Sequence, residues 1–315
     1  MPIGLGLAAS HAPNVFIAPE DWDVRYRSAI DDVPQPLKAK DETLEVRRAY
    51  ARRIEDAFAV LRRKLEDYRP DAMIMVSDDH SEMFDEFRCN PSLAMFIGKT
   101  GKGVLGLKRG ETVDDPGARI VSIACHEELS EFIATGLVKR DFDLTLTRQE
   151  ETRSLGPRNV GMGHGFSRIA PKLAPSGGVP AVLIWLNCYY EPLPTARRCL
   201  ALGRAIADIV KDRSERVAII GTGGLSHDPR GPRAGWIDET LDRAVLKALA
   251  EGDPDRLSVL YQLDSDTYHG GTGEIRNWLV AAAAMGTSKA TIVDYMPIHH
   301  AVTGVAFAHW EEPHR

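Results

Sequence analysis

The sequence predicts an α/β fold in which a mostly parallel or mixed β-sheet is covered by helices on both faces. Short, continuous apolar runs such as residues 217–220 are typical of strands that are buried on both sides. They alternate along the chain with amphipathic segments, of which residues 43–68 are the longest. Several apolar runs end directly in histidine or glycine, and sites in open α/β sheets form at the carboxyl ends of the strands. We therefore expect the functional site at that edge of the sheet.

The composition of the chain limits the classes of ligand that the protein is expected to bind. The chain has 315 residues, of which 43% are hydrophobic and 27% are charged, and its formal net charge is −6. One catalytic domain spanning residues 1–315 fits this length. No block of Lys or Arg forms a sustained basic stripe, which argues against nucleic acid or an anionic membrane as the main partner. A small-molecule ligand is therefore expected.

The cysteines and the first residues indicate the cellular compartment. The cysteines have no CxxC spacing, so neither a zinc ribbon nor a disulfide framework is predicted, and we expect reduced thiols. The first residues lack the basic segment and the apolar core of a signal peptide, and no apolar run approaches the length of about 18 residues that spans a membrane. A cytoplasmic location is expected. The cysteines are Cys89, Cys125, Cys188 and Cys199.

The first quarter of the chain contains two predicted strands. Apolar side chains alternate with small residues over residues 3–10, which predicts a strand. Residues 18–42 are rich in proline and aspartate, which oppose a regular helix, so this stretch is expected to be an excursion outside the core. Residues 43–68 carry apolar side chains at helical spacing, and residues 71–79 form the second buried strand.

The middle of the chain contains a second excursion. A strand at residues 94–98 leads into the glycine-rich and charged residues 99–117, which are expected to form a hairpin or a mobile loop. A helix is expected to follow at residues 118–135. Two further strands are expected at residues 143–147 and 179–187.

The last third of the chain continues the alternation. Amphipathic helices at residues 195–212 and 236–251 flank the strand that begins at Val217. Residues 268–285 open with glycines and continue into an alanine-rich helix that carries Glu274 in its first turn. The closing strands are expected at residues 291–295 and 303–308.

Three histidines follow predicted strands closely. His11, His80 and His227 come at or just beyond the ends of three apolar runs, so parallel strands would bring the three side chains to one edge of the sheet. Glu274 has an alternative explanation, because a carboxylate in the first turn of a helix is favoured by the helix dipole. Its glycine-rich approach is costly in backbone entropy unless another group comes close. We therefore include Glu274 among the candidate site residues.

Two imidazoles and one carboxylate on one face of a divalent metal leave coordination positions open for a substrate and dioxygen, as in non-haem Fe(II) oxygenases. The same types of ligand suit a zinc hydrolase. The residue types alone leave both possibilities open.

Five motifs occur in order along nearly the whole chain. They are SHAPN at residues 10–14, the strand that leads into Asp79 and His80, HG at residues 164–165, GTGGLSH at residues 221–227 and EIRNWL at residues 274–279. Together they resemble the class III extradiol dioxygenases, the family that includes the catalytic β subunit of protocatechuate 4,5-dioxygenase. The motif GTGGLSH in combination with the N-terminal SH is a fairly specific part of this resemblance.

The resemblance implies a role for each matching residue. His11, His80 and Glu274 would be the ligands of Fe(II), and His227 would be the acid–base residue beside bound dioxygen. His164 would contact the substrate or relay a proton. A histidine near its usual pKa of about 6.5 can take a catechol proton and return it later. The family chemistry is the opening of an aromatic ring next to a diol by dioxygen.

The sequence departs from the family pattern at two places. Gly163 stands where the family often has an aspartate before the histidine of the HG motif, so the orientation of His164 needs another explanation. His299 and His300 stand where protocatechuate enzymes have small polar residues near the substrate carboxylate, so they are candidate substrate-binding residues for a different ring substituent. A solvated loop is the alternative for this histidine pair.

No segment corresponds to the small companion subunit of the protocatechuate enzyme, so a lid has to come from this chain or from a symmetry mate. Residues 18–42 are the expected lid, with Trp22 and Tyr26 as aromatic walls, and a plain surface loop or a dimer contact is the alternative for this segment. A homodimer or a larger homo-oligomer is expected.

Three functions compete at this point. The leading hypothesis is an Fe(II) extradiol dioxygenase that acts on a catechol-type aromatic acid, or on a close analogue such as an aminophenol. The second is a zinc-dependent hydrolase on the same scaffold, and the third is a non-enzymatic binding relative. The joint presence of the candidate ligands and His227 argues against the third.

Overall fold

The fold is described from a computed structural model, over residues 3–106, 110–156, 158–262 and 265–312. Its strands are β1 (Ile3–Ala9), β2 (Ala72–Ser77), β3 (Leu93–Phe96), β4 (Thr100–Val104), β5 (Ile120–Ala124), β6 (Thr145–Thr147), β7 (Ala181–Leu186), β8 (Val217–Thr222), β9 (Thr291–Ile298) and β10 (Thr303–Glu311). Its α-helices are α1 (Trp22–Ile30), α2 (Leu44–Tyr68), α3 (Glu127–Val138), α4 (His164–Leu173), α5 (Ala196–Val210), α6 (Glu239–Glu251) and α7 (Ile275–Ala284).

The central sheet has eight strands in the order β6-β3-β7-β2-β8-β1-β10-β9. Its four middle strands, β7, β2, β8 and β1, are parallel to one another. The flanking strands make the sheet mixed, because β3 is antiparallel to β7 and β10 is antiparallel to β1. The expected α/β fold with a mostly parallel or mixed sheet is confirmed.

The register of the middle strands sets the position of the site. Ile219 of β8 lies opposite Ile74 of β2 on one side and opposite Gly6 of β1 on the other. These three strands run in the same direction, so the chain leaves all of them at one edge of the sheet. His11, His80 and His227 lie just beyond that edge.

Helices cover both faces because each middle strand is apolar on both faces. In β2, Ile74 and Val76 belong to the core under α3, α5 and α7, while Met73 and Met75 belong to the core under α2 and α4. Close approach of α5 to α7 depends on Gly203, where an added Cβ would lie 2.2 Å from the carbonyl oxygen of Val280. Because both faces of these strands are covered by helices, their sequences are continuous apolar runs and do not alternate between apolar and polar residues.

The helix expected at residues 43–68 is confirmed. The hydroxyl of Thr43 accepts a hydrogen bond from the backbone N–H of Val46 and caps the first turn. Arg69 adopts the left-handed conformation at the C-terminus, directly before Pro70, which cannot continue a helix.

The helix expected at residues 118–135 is wrong in its first half. Residues 120–124 form β5, which pairs antiparallel with β4, and the helix begins at Glu127. His126 caps that helix by accepting the backbone N–H of Leu129 at Nδ1. Three β-branched residues in a five-residue run favour a strand, and the pairing with β4 decides the outcome. The hairpin expected at residues 99–117 therefore extends beyond its predicted end, and residues 107–109 lie outside the described residues.

The excursion at residues 18–42 contains a regular helix, contrary to the expectation. Helix α1 ends at Ile30, so Pro34 and Pro36 follow it and do not prevent it. Trp22 at its start is 1% exposed and belongs to the core that α2 covers, so it is not the expected aromatic wall.

Helix α4 begins at His164, which has a glycine on either side in the sequence, and the helix expected at residues 236–251 begins at Glu239. Within the described parts of the chain, no helix combines the length and apolar character needed to cross a membrane.

Candidate metal centre

The side chains of three histidines converge on one carboxylate. Nε2 of His11 lies 3.4 Å from Oε2 of Glu274, and Nε2 of His80 lies 3.3 Å from Oε1. Nε2 of His227 lies 3.2 Å from the same Oε1. The structure thus brings together four residues that the sequence placed at strand ends and at a helix start.

Glycines allow this convergence. Gly223 has a φ of +146°, and an added Cβ there would lie 2.7 Å from Cβ of Glu274. An added Cβ at Gly271 would lie 2.0 Å from Nε2 of His227. Either side chain would force the two segments apart, so glycine is required at both positions. The backbone N–H of Gly224 donates to Oε2 of Glu274 over 2.5 Å and fixes the carboxylate.

The orientation of His11 is set by a hydrogen-bonded chain. The hydroxyl of Thr222 donates to Oγ of Ser77 over 2.8 Å, so its oxygen is available to accept from Nδ1 of His11 at 3.1 Å. The Nε2 atom of His11 then carries a lone pair. That atom is buried and has no hydrogen-bond partner among the described residues, which is the state expected of a metal ligand.

Asp78 is a second carboxylate in this cluster, and the sequence analysis missed it. Its Oδ2 lies 2.7 Å from Nε2 of His80, and its Oδ1 lies 3.6 Å from Nε2 of His11. Ligand atoms of His11, Asp78, His80 and Glu274 all lie within 4.8 Å of one another. The signal was the pair of aspartates before His80, directly after a buried strand. These donor types and this spacing fit a divalent cation.

The neighbouring carboxylate of Asp79 binds backbone N–H groups instead of facing the histidines. It accepts hydrogen bonds from the backbone N–H groups of Glu82, Met83 and Phe84, the shortest being 2.7 Å, and so holds the loop after His80. Burial raises the pKa of Asp79 to about 7. The two adjacent aspartates therefore face different surroundings.

The electrostatics of the cluster favour a cation. Burial alone would raise the pKa of Glu274, but His227 and His11 outweigh it and lower the pKa, so the group stays ionised. Burial alone would lower the pKa of His80, but Asp78 and Glu274 outweigh it and raise the pKa well above its usual value. An imidazole that two carboxylates hold in this way occupies a strongly negative environment.

His227 lies beside the cluster rather than within the set of mutually close ligand atoms. Its Nδ1–H donates to the carbonyl oxygen of Leu225 over 2.8 Å, which leaves Nε2 facing Glu274. Burial opposes the charged form, but Glu274 outweighs it and raises the pKa of His227. The ring therefore has one nitrogen that is fixed and one that can exchange a proton.

Tyr189 is another residue that the sequence analysis missed. Its hydroxyl donates to Oε1 of Glu274 over 2.6 Å and lies 3.3 Å from Nε2 of His227. Its ring centroid lies 3.9 Å from that of His80. Burial and the charge of Glu274 raise the pKa of Tyr189, so it remains a phenol. Its position after the buried strand β7 was the available signal.

His164 lies beside the cluster and is oriented by Glu82. Its ring centroid is 4.7 Å from that of His11 and 4.8 Å from that of His80. Burial lowers the pKa of His164 to about 4, so the neutral ring donates Nδ1–H to Glu82 and leaves a lone pair on Nε2. An added Cβ at Gly163 would lie 2.9 Å from Oε2 of Glu82. Glycine at 163 therefore leaves the space that the carboxylate occupies.

The rings of His299 and His300 make their hydrogen bonds and stacking contacts with residues outside this cluster. His300 lies 2.7 Å from Glu42 through Nδ1 and 3.1 Å from Asp23 through Nε2, and its ring stacks on Tyr26 at 4.4 Å. Nδ1 of His299 lies 2.9 Å from a backbone carbonyl oxygen of the loop that follows His227. Both histidines are buried, which excludes a solvated loop. Their role in substrate binding stays a prediction.

The excursion at residues 18–42 docks on that same loop. The side-chain amide of Gln35 donates to the carbonyl oxygen of Ala234 over 2.9 Å, and Nε1 of Trp236 donates to that of Pro34 over 2.8 Å. The segment is thus fixed against the loop of residues 230–236 and the turn that carries His300. That it covers the substrate opening stays a prediction.

An α/β sheet that gathers buried histidines and carboxylates at its carboxyl edge defines a metal-dependent enzyme. Residues 33–307 match the family described as the catalytic LigB subunit of aromatic ring-opening dioxygenase. The chain belongs to this family and is an extradiol ring-cleavage dioxygenase, as the motifs implied.

Individual relatives are distant. The chain is 23% identical over 306 residues to a 2,3-dihydroxyphenylpropionate/2,3-dihydroxicinnamic acid 1,2-dioxygenase of Photorhabdus laumondii, covering 82% of this chain and 90% of that one. It is 31% identical over 192 residues to a gallate dioxygenase of Pseudomonas putida, covering 58% of this chain and 52% of that enzyme. An uncharacterized protein of Escherichia coli K12 has a similar fold, with a TM-score of 0.50 and 14% identity over 97% of this chain and 99% of that one.

Proposed function

We propose that this protein is a non-haem Fe(II)-dependent extradiol dioxygenase that opens the ring of a catechol-type aromatic acid. The observation that carries the proposal is the state of His11. Its Nε2 atom is buried, without a hydrogen-bond partner in the described structure, and turned toward Glu274 and His80 by the bond of Nδ1 to Thr222. Such a nitrogen is costly to bury unless a metal occupies the space beside it.

His11, His80 and Glu274 would hold the metal. When bound, Fe(II) would supply the redox chemistry through which dioxygen reacts with a catechol. The protein contribution is to keep these ligands in place, and the bonds from Gly224 to Glu274 and from Thr222 to His11 do so.

His227 would act as the acid–base residue. Its Nδ1–H is committed to Leu225, so Nε2 is the atom that takes a proton from the substrate and returns it. The Tyr189 hydroxyl and the Glu274 carboxylate beside Nε2 stabilise a charged imidazole. His164 is neutral and presents Nε2, so it is suited to accept a hydrogen bond from the substrate.

Two arginines support an acidic substrate. Arg158 donates to the carbonyl oxygen of His80 over 3.0 Å, and Arg168 donates to that of His11 over 3.1 Å. Both positive charges lie next to the backbone of the proposed ligands, where they favour an anion. The Photorhabdus laumondii and Pseudomonas putida relatives are named for carboxylic acids that carry a diol.

Oxygen consumption tests the proposal. Protein prepared without oxygen and loaded with Fe(II) is expected to consume dioxygen and form a coloured ring-fission product with a catechol that carries a carboxylate. The control substrate is the isomer of the same acid whose two hydroxyls are meta to each other, because it cannot chelate a metal through adjacent hydroxyls. Plain catechol and an aminophenol in the same panel separate the contribution of the carboxylate from that of the diol.

A different set of results would contradict the dioxygenase proposal and favour the hydrolase. If Fe(II) protein consumes no oxygen with any diol, while Zn(II) protein hydrolyses an ester or amide, the hydrolase alternative holds. Elemental analysis of protein purified without oxygen identifies the metal it carries.

The homo-oligomeric assembly, the cytoplasmic location and the single domain over residues 1–315 stay predictions.

A further inference from the structure

The carboxylate of Asp78 has no role in the metal site that the proposed function describes. It lies directly beyond the end of β2, and its side chain is completely buried between His80 and His11. Its position is set by Asn277, whose side-chain amide donates to Oδ1 over 3.2 Å. The same amide donates to the carbonyl oxygen of Thr222 over 2.8 Å, so Asn277 is itself fixed.

The second oxygen of Asp78 is the critical observation. Oδ2 accepts no hydrogen bond from any described residue, although Nε2 of His80 lies 2.7 Å away. A buried carboxylate oxygen without a partner is strongly unfavourable. Asp78 Oδ2 and His11 Nε2, both buried and without a hydrogen-bond partner among the described residues, thus lie with Nε2 of His80 and the carboxylate of Glu274 in one small volume.

The balance of buried charge also favours contact between Asp78 and the metal. Asp78 and Glu274 are two buried carboxylates, and histidines that bind a metal are neutral. A divalent cation with Glu274 alone would leave the charge of Asp78 uncompensated in the interior. A divalent cation that both carboxylates contact leaves no net charge buried.

We propose that Asp78 is a fourth protein ligand of the metal, so that two histidines and two carboxylates hold it in the absence of substrate. The inference rests on the metal site of the proposed function but not on its substrate or its reaction. An octahedral metal with four protein ligands cannot accept a chelating catechol and dioxygen together. Asp78 therefore gives up its position when both are bound, and Asn277 still offers its amide to the released carboxylate.

The next residue provides a matched control. Asp79 is also a buried aspartate, but its oxygens accept backbone N–H groups of the loop at residues 82–84. Asp78→Asn and Asp79→Asn each replace a buried carboxyl group by an amide of nearly the same shape, at adjacent positions. The two variants are expected to differ in metal affinity, because the carboxylate of Asp78 lies in the cluster and that of Asp79 binds the loop.

The experiment measures Co(II) and Fe(II) binding to the full chain without oxygen and without substrate. Asp78→Asn is expected to weaken Co(II) binding by more than about 100-fold, beyond the 10- to 100-fold loss typical of groups that only support a ligand. Asp79→Asn is expected to bind Co(II) within about threefold of the unmodified protein. Equal affinity of Asp78→Asn and the unmodified protein would overturn the proposal.

A second measurement does not depend on how the variant folds. In a crystal structure of the unmodified protein with Co(II) and no substrate, an oxygen of Asp78 is expected at about 2.0–2.2 Å from the metal. An Asp78 carboxylate well beyond ligand distance in that structure would contradict the proposal. Adding a catechol acid anaerobically is expected to lengthen this distance while His11, His80 and Glu274 stay bound.

The outcomes are independent of the proposed function. If Asp78 binds the metal but no diol leads to oxygen consumption, the dioxygenase proposal fails and the ligand assignment stands. If ring cleavage proceeds and Asp78→Asn binds Co(II) normally, the ligand assignment fails and the dioxygenase proposal stands.

Discussion

Nδ1 of His164 lies 2.7 Å from Oε2 of Glu82, and the same oxygen accepts the backbone N–H of His164 over 2.9 Å. Glu82 thereby supplies a carboxylate to His164, whereas the family pattern that the sequence resembles often has an aspartate directly before this histidine. A carboxylate 82 residues away in the chain replaces a neighbour at position 163, where glycine leaves room for it.

Removing this carboxylate should lower turnover more than substrate binding. Glu82→Ala frees the ring of His164, so kcat of ring cleavage is expected to fall by about 10- to 100-fold, as for other groups that orient a ligand or catalytic side chain. Glu82→Gln should retain a larger share of kcat, because its amide oxygen can still accept Nδ1–H. The measurement is kcat and KM for both variants with the same diol.

The matched control for this prediction is Glu150→Ala, which removes an exposed carboxylate that pairs with Lys99 on the surface. It is expected to leave kcat unchanged. Normal turnover in a folded Glu82→Ala protein would show that the orientation of His164 does not matter.

His227→Ala is expected to keep its metal and lose turnover. The ring of His227 lies outside the set of mutually close ligand atoms, but its Nε2 is the free proton-exchanging nitrogen. Loss of a general acid–base group typically costs about 10²- to 10⁴-fold in rate. Metal content and kcat are the two measurements, and a protein that loses its iron would make His227 a ligand.

His126→Ala serves as the histidine control, because His126 caps α3. It is expected to lower stability slightly and to leave kcat unchanged.

The position of the site could be predicted because it depends on a local pattern. Histidines that follow buried parallel strands meet at one edge whatever their separation in sequence, and His11, His80 and His227 do so. The glycines before His227 and Glu274 were also informative, since each makes a contact that no other residue allows.

The supporting residues could not be predicted in the same way. Glu82 and Tyr189 lie in loops whose paths depend on hydrogen bonds to distant residues. Asp78 and Asp79 are identical side chains in adjacent positions, and only the turn after β2 decides which of them faces the histidines. The β-branched residues of β5 favoured a strand, but the decisive evidence, its pairing with β4, is visible only in the folded protein.

Asp242 makes stability depend on pH in a defined direction. Burial raises the pKa of Asp242 from 3.8 to about 6, although Ser226 and Tyr295 donate hydrogen bonds to it. Since the folded state binds this proton more tightly than the unfolded state, the stabilisation is complete below about pH 4 and is lost as the pH rises through about 6.

Asp242→Asn removes this titration and keeps the shape of the side chain. The difference in the free energy of unfolding between the unmodified protein and Asp242→Asn is expected to fall by up to about 3 kcal/mol from pH 4 to pH 7. Denaturant unfolding of both proteins across that range is the measurement. A difference that stays constant or grows with pH would contradict the raised pKa.

Trp22 tests whether the excursion at residues 18–42 is part of the folded core. A removable lid would tolerate the loss of this side chain, but Trp22 is 1% exposed and packs in the core under α2, with its Nε1–H donated to the carbonyl oxygen of Ile17 over 3.3 Å. Trp22→Ala is therefore expected to lower the free energy of unfolding by about 3–5 kcal/mol, because it leaves a large cavity. Val24→Ala on the same helix removes a side chain that is 72% exposed and should change it by less than about 0.5 kcal/mol. Denaturant unfolding of the two variants separates these cases: equal, small effects would show that α1 rests loosely on the protein, and a large effect for Trp22→Ala alone would show that the segment is anchored at its start.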